Sequence, residues 1–287
     1  MNRRTFLKKS IGSLLALVGL SGGTYFYARE IETGMLQLKR DVIFSKKIPE
    51  SFNQFKIVQF SDTHIGFHYS LEQLNEVVNT INNEEPDLVV FTGDLVDQAN
   101  TYNWNDKLIK TLKKIQASNG KYWIYGNHDH GGYGTDIVKN TMDKAGFQLL
   151  KNSHTTIRNA DGELILAGID DVMLGDPNLR KTLTAANPEL FTILLAHEPD
   201  YADQVVRYPV DMQLSGHSHG GQVRLPFIGD LYTPLYAEKY VEGKHSLNNG
   251  KLTLYVSKGI GTTRVPYRFL CKPEINIFTL KTQTAKS

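Results

Sequence analysis

The segment Tyr122-Trp123-Ile124-Tyr125-Gly126-Asn127-His128-Asp129 is an apolar run that passes directly into a polar turn. Such a pattern is typical of a buried strand that delivers its last side chains to a loop. Four other apolar runs end in the same way, and each is followed by carboxylate or imidazole side chains. The segments that follow them are Ser61-Asp62-Thr63-His64, Gly93-Asp94-Leu95-Val96-Asp97, Ala196-His197-Glu198 and Gly216-His217-Ser218-His219. This repetition predicts that five strand ends meet at one metal centre.

Strands and helices alternate in the first half of the chain, and strands dominate the second half. Leu71, Leu74, Val77, Val78 and Ile81 recur at helical spacing, which predicts an amphipathic helix over 71–83. The other predicted helices cover 104–117, 135–145 and 178–186. The predicted strands cover 35–45, 55–60, 87–91, 122–125, 147–150, 155–157, 164–167, 191–195, 212–214, 252–256 and 275–280. This order favours an α/β fold in which strand-to-helix loops gather at one edge of a sheet.

The spacing and chemistry of the polar residues indicate which metals they would bind. Asp62 and His64 are two residues apart, as are His217 and His219, so an extended backbone would turn both side chains of each pair to one side. Mixed carboxylate, imidazole and amide ligands favour Mn, Fe or Zn over Ca. A carboxylate such as Asp94 is suited to bridge two ions about 3.5–4 Å apart, as in enzymes of phosphoryl transfer.

Charge and cysteine content exclude two classes of protein. Residues 1–28 contain four basic residues and no acidic ones, so the remainder carries 28 Lys plus Arg against 30 Asp plus Glu. A body with a net charge of about −2 lacks the clustered positive charge of a nucleic-acid surface. No nucleic-acid partner is therefore expected. The single cysteine, Cys271, excludes an intrachain disulfide.

The N-terminal segment has the layout of an export signal. Arg3-Arg4 stands before Phe6-Leu7-Lys8, and the run from Ile11 to Ala28 has no charge. This arrangement resembles a twin-arginine signal, which implies the twin-arginine export machinery as a partner. An N-terminal membrane anchor is the alternative, because eighteen uncharged residues are near the lower limit for a span. We expect a signal or anchor at 1–28, a lead-in with the first strand at 29–54, and the functional domain at 55–281.

The complete series of motifs resembles that of the calcineurin-like metallophosphoesterase superfamily, and the leader is similar to that of an exported branch. The resemblance covers the chain from about Lys56 to Leu280. It implies an αββα sandwich, in which two packed mixed β-sheets are flanked by helices and two metals lie at one edge. It also implies two divalent ions, Mn, Zn or Fe, as cofactors.

The resemblance assigns a role to each motif position. The first ion would be bound by Asp62, His64 and His219. The second would be bound by Asn127, His197 and His217, with Asp94 bridging both. A metal-bridging hydroxide would attack phosphorus, and His128 would bind the phosphate and protonate the leaving oxygen. Asp97 would orient His128, and Asn127 would also contact the phosphate.

Residues outside the shared motifs are further candidates for the substrate cleft. His130 and Arg264 are expected to contact substrate, with a surface ion pair or loop packing as the alternative. The same expectation, with the same alternative, applies to His68, His245, Arg224, Arg268 and the segment 222–244. Asp129 is expected to shape its own loop, and His154 to lie at the surface.

These features predict a two-metal hydrolase of phosphate esters, a phosphodiesterase or phosphomonoesterase that acts outside the cytoplasm. Its expected substrate is a wall polymer or a lipid head group, and the protein would be associated with the cell wall or anchored to the membrane. A nuclease of the same superfamily is one alternative, although it would need a basic groove. A non-catalytic surface protein that retains metals is another, although intact Asp97 and His128 argue against it. Hydrolysis of a lipid precursor is a third.

Overall fold

Two six-stranded mixed sheets form the centre of the protein, for which the computed structural model describes residues 19–130 and 135–283. The strands are β1 Gln37–Ser45, β2 Lys56–Phe60, β3 Leu88–Phe91, β4 Lys121–Trp123, β5 Gln148–Leu149, β6 Ser153–Asn159, β7 Gly162–Gly168, β8 Thr192–Leu195, β9 Met212–Ser215, β10 Arg224–Leu225, β11 Gly229–Asp230, β12 Gly243–Leu247, β13 Leu252–Val256 and β14 Glu274–Thr282. The first sheet has the order β1-β14-β2-β3-β4-β5, and the second has the order β12-β13-β9-β8-β7-β6. A separate hairpin is formed by β10 and β11.

The helices are mostly short and lie between the strands. Besides the helical residues 19–26, the α-helices are Leu71–Asn83, Asp106–Lys113, Asn127–His130, Thr135–Lys144, Leu179–Thr182 and Ala202–Val205. Short 3-10 segments are found at Glu32–Gly34, Glu50–Phe52, Pro199–Tyr201 and His219–Gly221, and a π-helical turn at Tyr27–Ile31.

Three groups of buried apolar side chains hold four layers together. Ile57, Val90, Leu166, Ile193 and Leu214 belong to the core between the two sheets. The other face of the first sheet packs against helices 71–83, 106–113 and 135–144. The other face of the second sheet is covered by the segments around 179–183 and 201–210. The predicted αββα sandwich is therefore confirmed.

The helix Leu71–Asn83 has the predicted bounds because its sequence carries both a cap and an apolar stripe. Ser70 accepts the N–H of Gln73 through its side chain, while the Gln73 side chain accepts the N–H of Ser70. The predicted helix 178–186 is shorter, at Leu179–Thr182. It ends early because Leu183 leaves the helical conformation and Ala185 has a left-handed backbone with φ 65°.

The N-terminal part of the described chain joins the body of the domain. Residues 19–26 are helical, and the buried Ala28 accepts the backbone N–H of Arg268 over 2.9 Å. β1 then pairs in parallel with β14 from Gln37 to Ser45. No helix within the described part of the chain is long and apolar enough to cross a membrane. Residues 1–18, where the twin-arginine motif lies, are outside that part.

The carboxyl ends of five strands create the rim that carries the motifs. Three of the motifs follow β2, β3 and β4 of the first sheet, and two follow β8 and β9 of the second. β2, β3 and β4 are parallel neighbours, and so are β8 and β9. The motifs therefore meet across the shared rim of two sheets.

Candidate metal centre

Side chains from the five loops converge in three overlapping groups. Within each group the potential ligand atoms lie within 4.8 Å of one another. The groups are Asp62-His64-His219, His64-Asp94-His128 and Asp94-His197-His217. The first and the last match the carboxylate and imidazole ligands that the family resemblance implies for the two ions, and the middle group connects them.

Two imidazoles are oriented by backbone carbonyls. His197 Nδ1 donates to the Thr92 carbonyl over 2.6 Å, which leaves Nε2 facing Asp94 Oδ2 at 3.2 Å. His217 Nε2 donates to the Leu235 carbonyl over 2.9 Å, which leaves Nδ1 free to bind a metal. Burial and the neighbouring His197 lower the pKa of His217 to about 3, so its ring is neutral. A second hydrogen bond of this kind fixes the tautomer of a metal-binding histidine.

His64 and His219 face each other on the other side of the centre. Their Nε2 atoms are 3.0 Å apart, and His219 Nε2 lies 3.6 Å from Asp62 Oδ1. Burial, with the nearby His64 and Arg268, holds the pKa of His219 well below its ordinary value, so this ring is also neutral. The Asp62 carboxylate is held in turn by the backbone N–H of His217 at 3.0 Å.

Asp94 is the carboxylate that connects the two sides. Its Oδ2 lies 3.2 Å from His197 Nε2 and 3.5 Å from His64 Nε2, while Oδ1 accepts the backbone N–H of His128 at 2.8 Å. Burial raises the pKa of Asp94, but His197, His128 and His64 outweigh burial and hold the pKa well below its ordinary value. Asp94 is therefore ionised, and it belongs to both the group with His64 and the group with His197 and His217.

Two buried polar atoms of the site make no hydrogen bond, as expected for atoms that bind a metal ion. Asn127 Oδ1 is buried and has no hydrogen-bond partner among the described residues, and the buried His197 Nε2 has only the ion-pair contact with Asp94 Oδ2. Leaving such an atom unpaired costs about 1–3 kcal/mol, and a bound cation would remove that cost. Carboxylate, imidazole and amide donors together suit two divalent ions of the transition-metal class.

The backbone at the candidate ligands is strained. The angle φ is 54° at Asp62, 41° at His64, 63° at Asp94, 68° at His217 and 51° at His219. Left-handed backbone at a residue with a side chain costs roughly 1–3 kcal/mol. The extended backbone predicted for the Asp-x-His and His-x-His pairs is therefore wrong. The side chains converge because the loops turn back on themselves, and not because alternate strand residues share a face.

Gly126 and Gly93 allow two ligand loops to approach each other. A Cβ atom at Gly126 would lie 2.3 Å from Asp94 Oδ1, and one at Gly93 would lie 2.6 Å from the Gly126 nitrogen. Gly93 also has φ +102°, which other residues rarely adopt. These glycines therefore set how closely Asp94 and Asn127 are placed.

Asp129 ties the same two loops together. Its carboxylate accepts the backbone N–H groups of Asp94 at 2.8 Å, Leu95 at 3.0 Å and Gly126 at 2.9 Å. The side chain is fully buried. The geometry agrees with the expectation that Asp129 shapes its loop, and it adds that Asp129 also holds the loop of Asp94.

His128 and Asp97 are adjacent, but their short contact involves the backbone. His128 Nδ1 lies 2.6 Å from the Asp97 carbonyl and 3.8 Å from Asp97 Oδ1. The Asp97 carboxylate is nearer to His64 Nδ1, at 3.2 Å, and accepts from Thr263 Oγ1 at 3.3 Å. Asp97 thus contacts His128 with its main chain and the candidate ligand His64 with its side chain.

A cavity of about 510 Å³ opens above the centre. Its floor consists of candidate metal ligands together with Asn127 and His128. Most of its wall is apolar or aromatic and is formed by Met173, Val223, Leu231, Tyr232, Pro234, Leu235, Val265 and Tyr267. Arg264 also lines the cavity, with its guanidinium 4.9 Å from the centre of the Tyr232 ring. Part of the predicted segment 222–244 and the predicted Arg264 thus reach the site.

Other candidates from the sequence lie elsewhere. His130 is not among the residues that line this cavity, and its Nε2 pairs with Asp170 Oδ1 at 2.9 Å. Arg268 is fully buried behind His219, where it donates to the carbonyls of Lys258 and Gly261. Residues 131–134, which follow His130, are outside the described part of the chain.

The remaining candidates make ordinary structural contacts. His68 contacts the Arg29 carbonyl, and His154 is half-buried and contacts the Thr182 carbonyl. Both His245 and Arg224 contact Glu242, through its carbonyl and its carboxylate respectively.

A group of buried acids beside the centre, Asp170, Asp171 and Glu198, has no role in the five motifs. Glu198 accepts the N–H of Val172 at 3.1 Å, and burial together with Asp171 raises the pKa of Glu198 well above its ordinary value. The protonated form of Glu198 is therefore favoured. The signal was present in the sequence, because Asp170-Asp171 follows an apolar strand, β7, just as the five motifs follow theirs.

The fold and the site together define a metal-dependent hydrolase of phosphate esters. A calcineurin-like phosphoesterase family model matches residues 55–221. The chain belongs to this family, so the family predicted from the motifs is confirmed.

Three relatives align with nearly the whole chain. The uncharacterized metallophosphoesterase YkuE of Bacillus subtilis (strain 168) is 49% identical over 282 residues, which covers 98% of each chain. The phosphodiesterase YaeI of Escherichia coli (strain K12) is 26% identical and covers 98% of this chain and 99% of its own. The UDP-2,3-diacylglucosamine pyrophosphatase LpxG of Chlamydia muridarum (strain MoPn / Nigg) is 27% identical and covers 92% of this chain and 95% of its own.

Asp129→Asn should lower the free energy of unfolding by about 2–3 kcal/mol, because the amide would turn a donor toward a backbone N–H group. Metal content should fall as well, because the loops of Asp94 and Asn127 would separate. Chemical denaturation with chelator present measures the first effect, and elemental analysis the second. The control Asp161→Asn, at an exposed turn, should match the wild type. Wild-type stability of Asp129→Asn would contradict its role.

Proposed function

We propose that this protein is a two-metal phosphodiesterase or phosphomonoesterase that acts outside the cytoplasm. One observation carries the proposal. The groups Asp62-His64-His219 and Asp94-His197-His217 are joined by an ionised Asp94, and His128 lies on their open side in the same cavity. Mn, Zn and Fe are the proposed ions, because they accept both carboxylate and imidazole ligands.

Two divalent ions held by these groups would supply an activated water and neutralise charge on the phosphate. The residues around them complete the reaction. Asn127 and His128 hold the phosphate oxygens, and the narrow loop spacing set by Gly126 keeps both side chains against the ligands. Neutral His217, which donates from Nε2 to the Leu235 carbonyl, leaves the lone pair of Nδ1 free for an ion.

His128 is the proposed donor of a proton to the leaving oxygen. Its Nδ1 donates to the Asp97 carbonyl, so the other ring nitrogen is the one available to substrate. Burial lowers the pKa of His128, but Asp94 and the Asp97 carbonyl outweigh burial and raise the pKa above its ordinary value. The raised pKa favours the ring with a proton on both nitrogens, the form that can release one to the leaving oxygen.

The proposed substrate is a phosphate ester of a lipid head group or a wall polymer. The cavity combines a floor suited to phosphate with a largely apolar wall. The name of the relative LpxG includes a diacylated sugar, and that of YaeI a phosphodiester activity. A nuclease finds less support, because the body of the chain has 28 basic against 30 acidic residues.

The N-terminal residues 1–28 are proposed to direct the chain to the twin-arginine machinery and to leave it anchored or released at the cell wall. The support is the sequence Arg3-Arg4 before Phe6-Leu7-Lys8 and the uncharged run that follows. Within this proposal, residues 29–54 lead into the phosphoesterase domain at 55–281.

The full chain stripped of metal should be inert toward 4-nitrophenyl phosphate and bis(4-nitrophenyl) phosphate, and Mn, Zn or Fe should restore activity. His197→Ala should bind fewer than two ions and lose more than about a hundredfold in turnover. Elemental analysis and initial rates give both results. His245→Ala, remote from the centre, is the control. A folded, metal-loaded chain that hydrolyses neither ester would exclude the function.

His128→Ala should lose about 10²–10⁴-fold in turnover on an alkyl phosphate ester and far less on a 4-nitrophenyl ester, because only a poor leaving group needs a proton. His154→Ala, on the remote strand β6, should retain the wild-type rate on both. Equal loss on the two esters would assign His128 to phosphate binding alone, and no loss would remove it from the reaction.

Replacing Arg3 and Arg4 by Lys should stop export, because lysine preserves the charge but not the twin-arginine signal. Cell fractionation measures the protein that remains inside. Lys8→Arg with Lys9→Arg preserves the charge outside the pair and should leave export unchanged. Normal export of the first variant would instead support an anchor inserted by another route.

A further inference from the structure

We propose that residues 225–237, together with the helical residues 19–26 (the N-terminal helix), form a docking surface for a phospholipid membrane beside the mouth of the metal cavity. This segment is called the docking loop below. It contains the β10–β11 hairpin except for Arg224, and its single charged residue is Asp230. Its contact with a membrane does not depend on catalysis, but its use in presenting substrate rests on the proposed function.

The docking loop exposes large apolar side chains that no part of the described structure covers. Phe227 at the tip of the hairpin is fully exposed, and Ile228 is 70% exposed. The exposed large side chains of the same loop also include Leu231, Tyr232, Leu235 and Tyr236. A continuous apolar surface of this kind marks a site of interaction with a membrane or a protein.

The backbone conformation of Phe227 shows that the hairpin turn does not require an aromatic side chain at this position. Its φ is 66°, a left-handed conformation that is unfavourable for a bulky residue. Glycine or asparagine would adopt the same turn at lower cost. Insertion into an apolar phase explains why an aromatic residue lies at this strained and fully exposed tip.

The docking loop is held in place and presents its apolar side chains on a fixed backbone. The Leu231 N–H donates to the Val223 carbonyl at 3.1 Å, and the Tyr236 carbonyl accepts the Asp200 N–H at 2.9 Å. The Leu235 carbonyl accepts from His217 Nε2 at 2.9 Å. The last contact couples the docking loop directly to a candidate metal ligand.

The N-terminal helix lies next to the same surface. Tyr25 stacks edge-on against Tyr267, with ring centres 5.9 Å apart, and Tyr267 lines the metal cavity. The neighbouring Phe269 forms a β-bridge with Val223, at the start of the hairpin. Leu20 and Phe26 are exposed. The end of the uncharged run, residues 19–28, therefore enters the domain beside the docking loop.

A lipid surface is the partner that matches this combination of features. Tyrosines with an apolar body and a polar tip are favoured at the boundary of a membrane, and Tyr25, Tyr232 and Tyr236 lie here. Arg264, stacked on Tyr232 at the cavity, suits anionic head groups. A hydrated wall polymer would leave Phe227 and Ile228 in water. Lipid docking would instead bring head-group phosphates to the cavity mouth.

Insertion can be measured on the full chain with a polarity-sensitive fluorophore attached at Ile228→Cys. Cys271 is buried and should not be labelled. Vesicles of phosphatidylglycerol and phosphatidylethanolamine, with a nitroxide-labelled lipid as quencher, should blue-shift and quench this label. The same label at Phe44→Cys, on strand β1 and 60% exposed in the wild type, should remain unchanged.

Two results would overturn the docking proposal. Binding to vesicles with the label at position 228 unquenched would mean that the N-terminal segment alone attaches the chain. A spectral shift that depends on protein concentration and needs no vesicles would show that the docking loop contacts a second copy.

A comparison of turnover on a membrane-embedded ester and on a soluble ester tests docking separately from the proposed function. Phe227→Ser with Ile228→Ser should lower turnover of a phosphate ester embedded in vesicles about tenfold or more, given the apolar area removed. Turnover of soluble 4-nitrophenyl phosphate should be unchanged, because neither side chain lines the cavity. Val42→Ser with Phe44→Ser is the matched control and should affect neither rate. Inactivity of every form on the soluble ester would refute the function, while the fluorescence result would still decide docking.

Discussion

Three backbone N–H groups donate to one buried carboxylate, and the metal centre depends on this interaction. Asp129 holds the loop after β3 at Asp94 and Leu95 and the loop after β4 at Gly126. Because both loops are fixed by one side chain, the candidate bridging ligand Asp94 and the amide of Asn127 keep a constant separation. The strained backbone at five candidate ligands is tolerated because contacts of this kind determine it from several sides.

The two-sheet architecture explains why this centre has ligands from both halves of the chain. The apolar core between the sheets fixes the rim at which β3 and β8 end. Directly beneath the ligands the core becomes polar, since the Gln59 amide donates to Thr92 Oγ1 at 3.1 Å and to the Ser215 carbonyl at 3.0 Å. This buried network links the strand ends of the two sheets beneath the ligands.

The apolar wall of the cavity and the apolar surface outside it belong to the same segment of chain. Leu231 and Leu235 line the cavity, whereas Phe227 and Ile228 face away from the domain. The hydrogen bond from His217 to the Leu235 carbonyl connects this segment to the metal centre. A membrane phosphate ester would thus meet lipid contacts, an apolar wall and the ligand floor in succession, which gives the proposed substrate class a continuous physical path.

The sequence by itself determined the α/β class and the helix Leu71–Asn83 through local periodicity. It determined the family, and with it the αββα sandwich, through the resemblance of the five motifs. Only the tertiary structure decided which partner each polar side chain contacts. The Asp97 carboxylate contacts His64, His130 pairs with Asp170, and Arg268 is buried behind the site, because such choices depend on which loops meet across two sheets. The left-handed backbone at the ligands was likewise invisible in the sequence, since long-range contacts impose it against local preference.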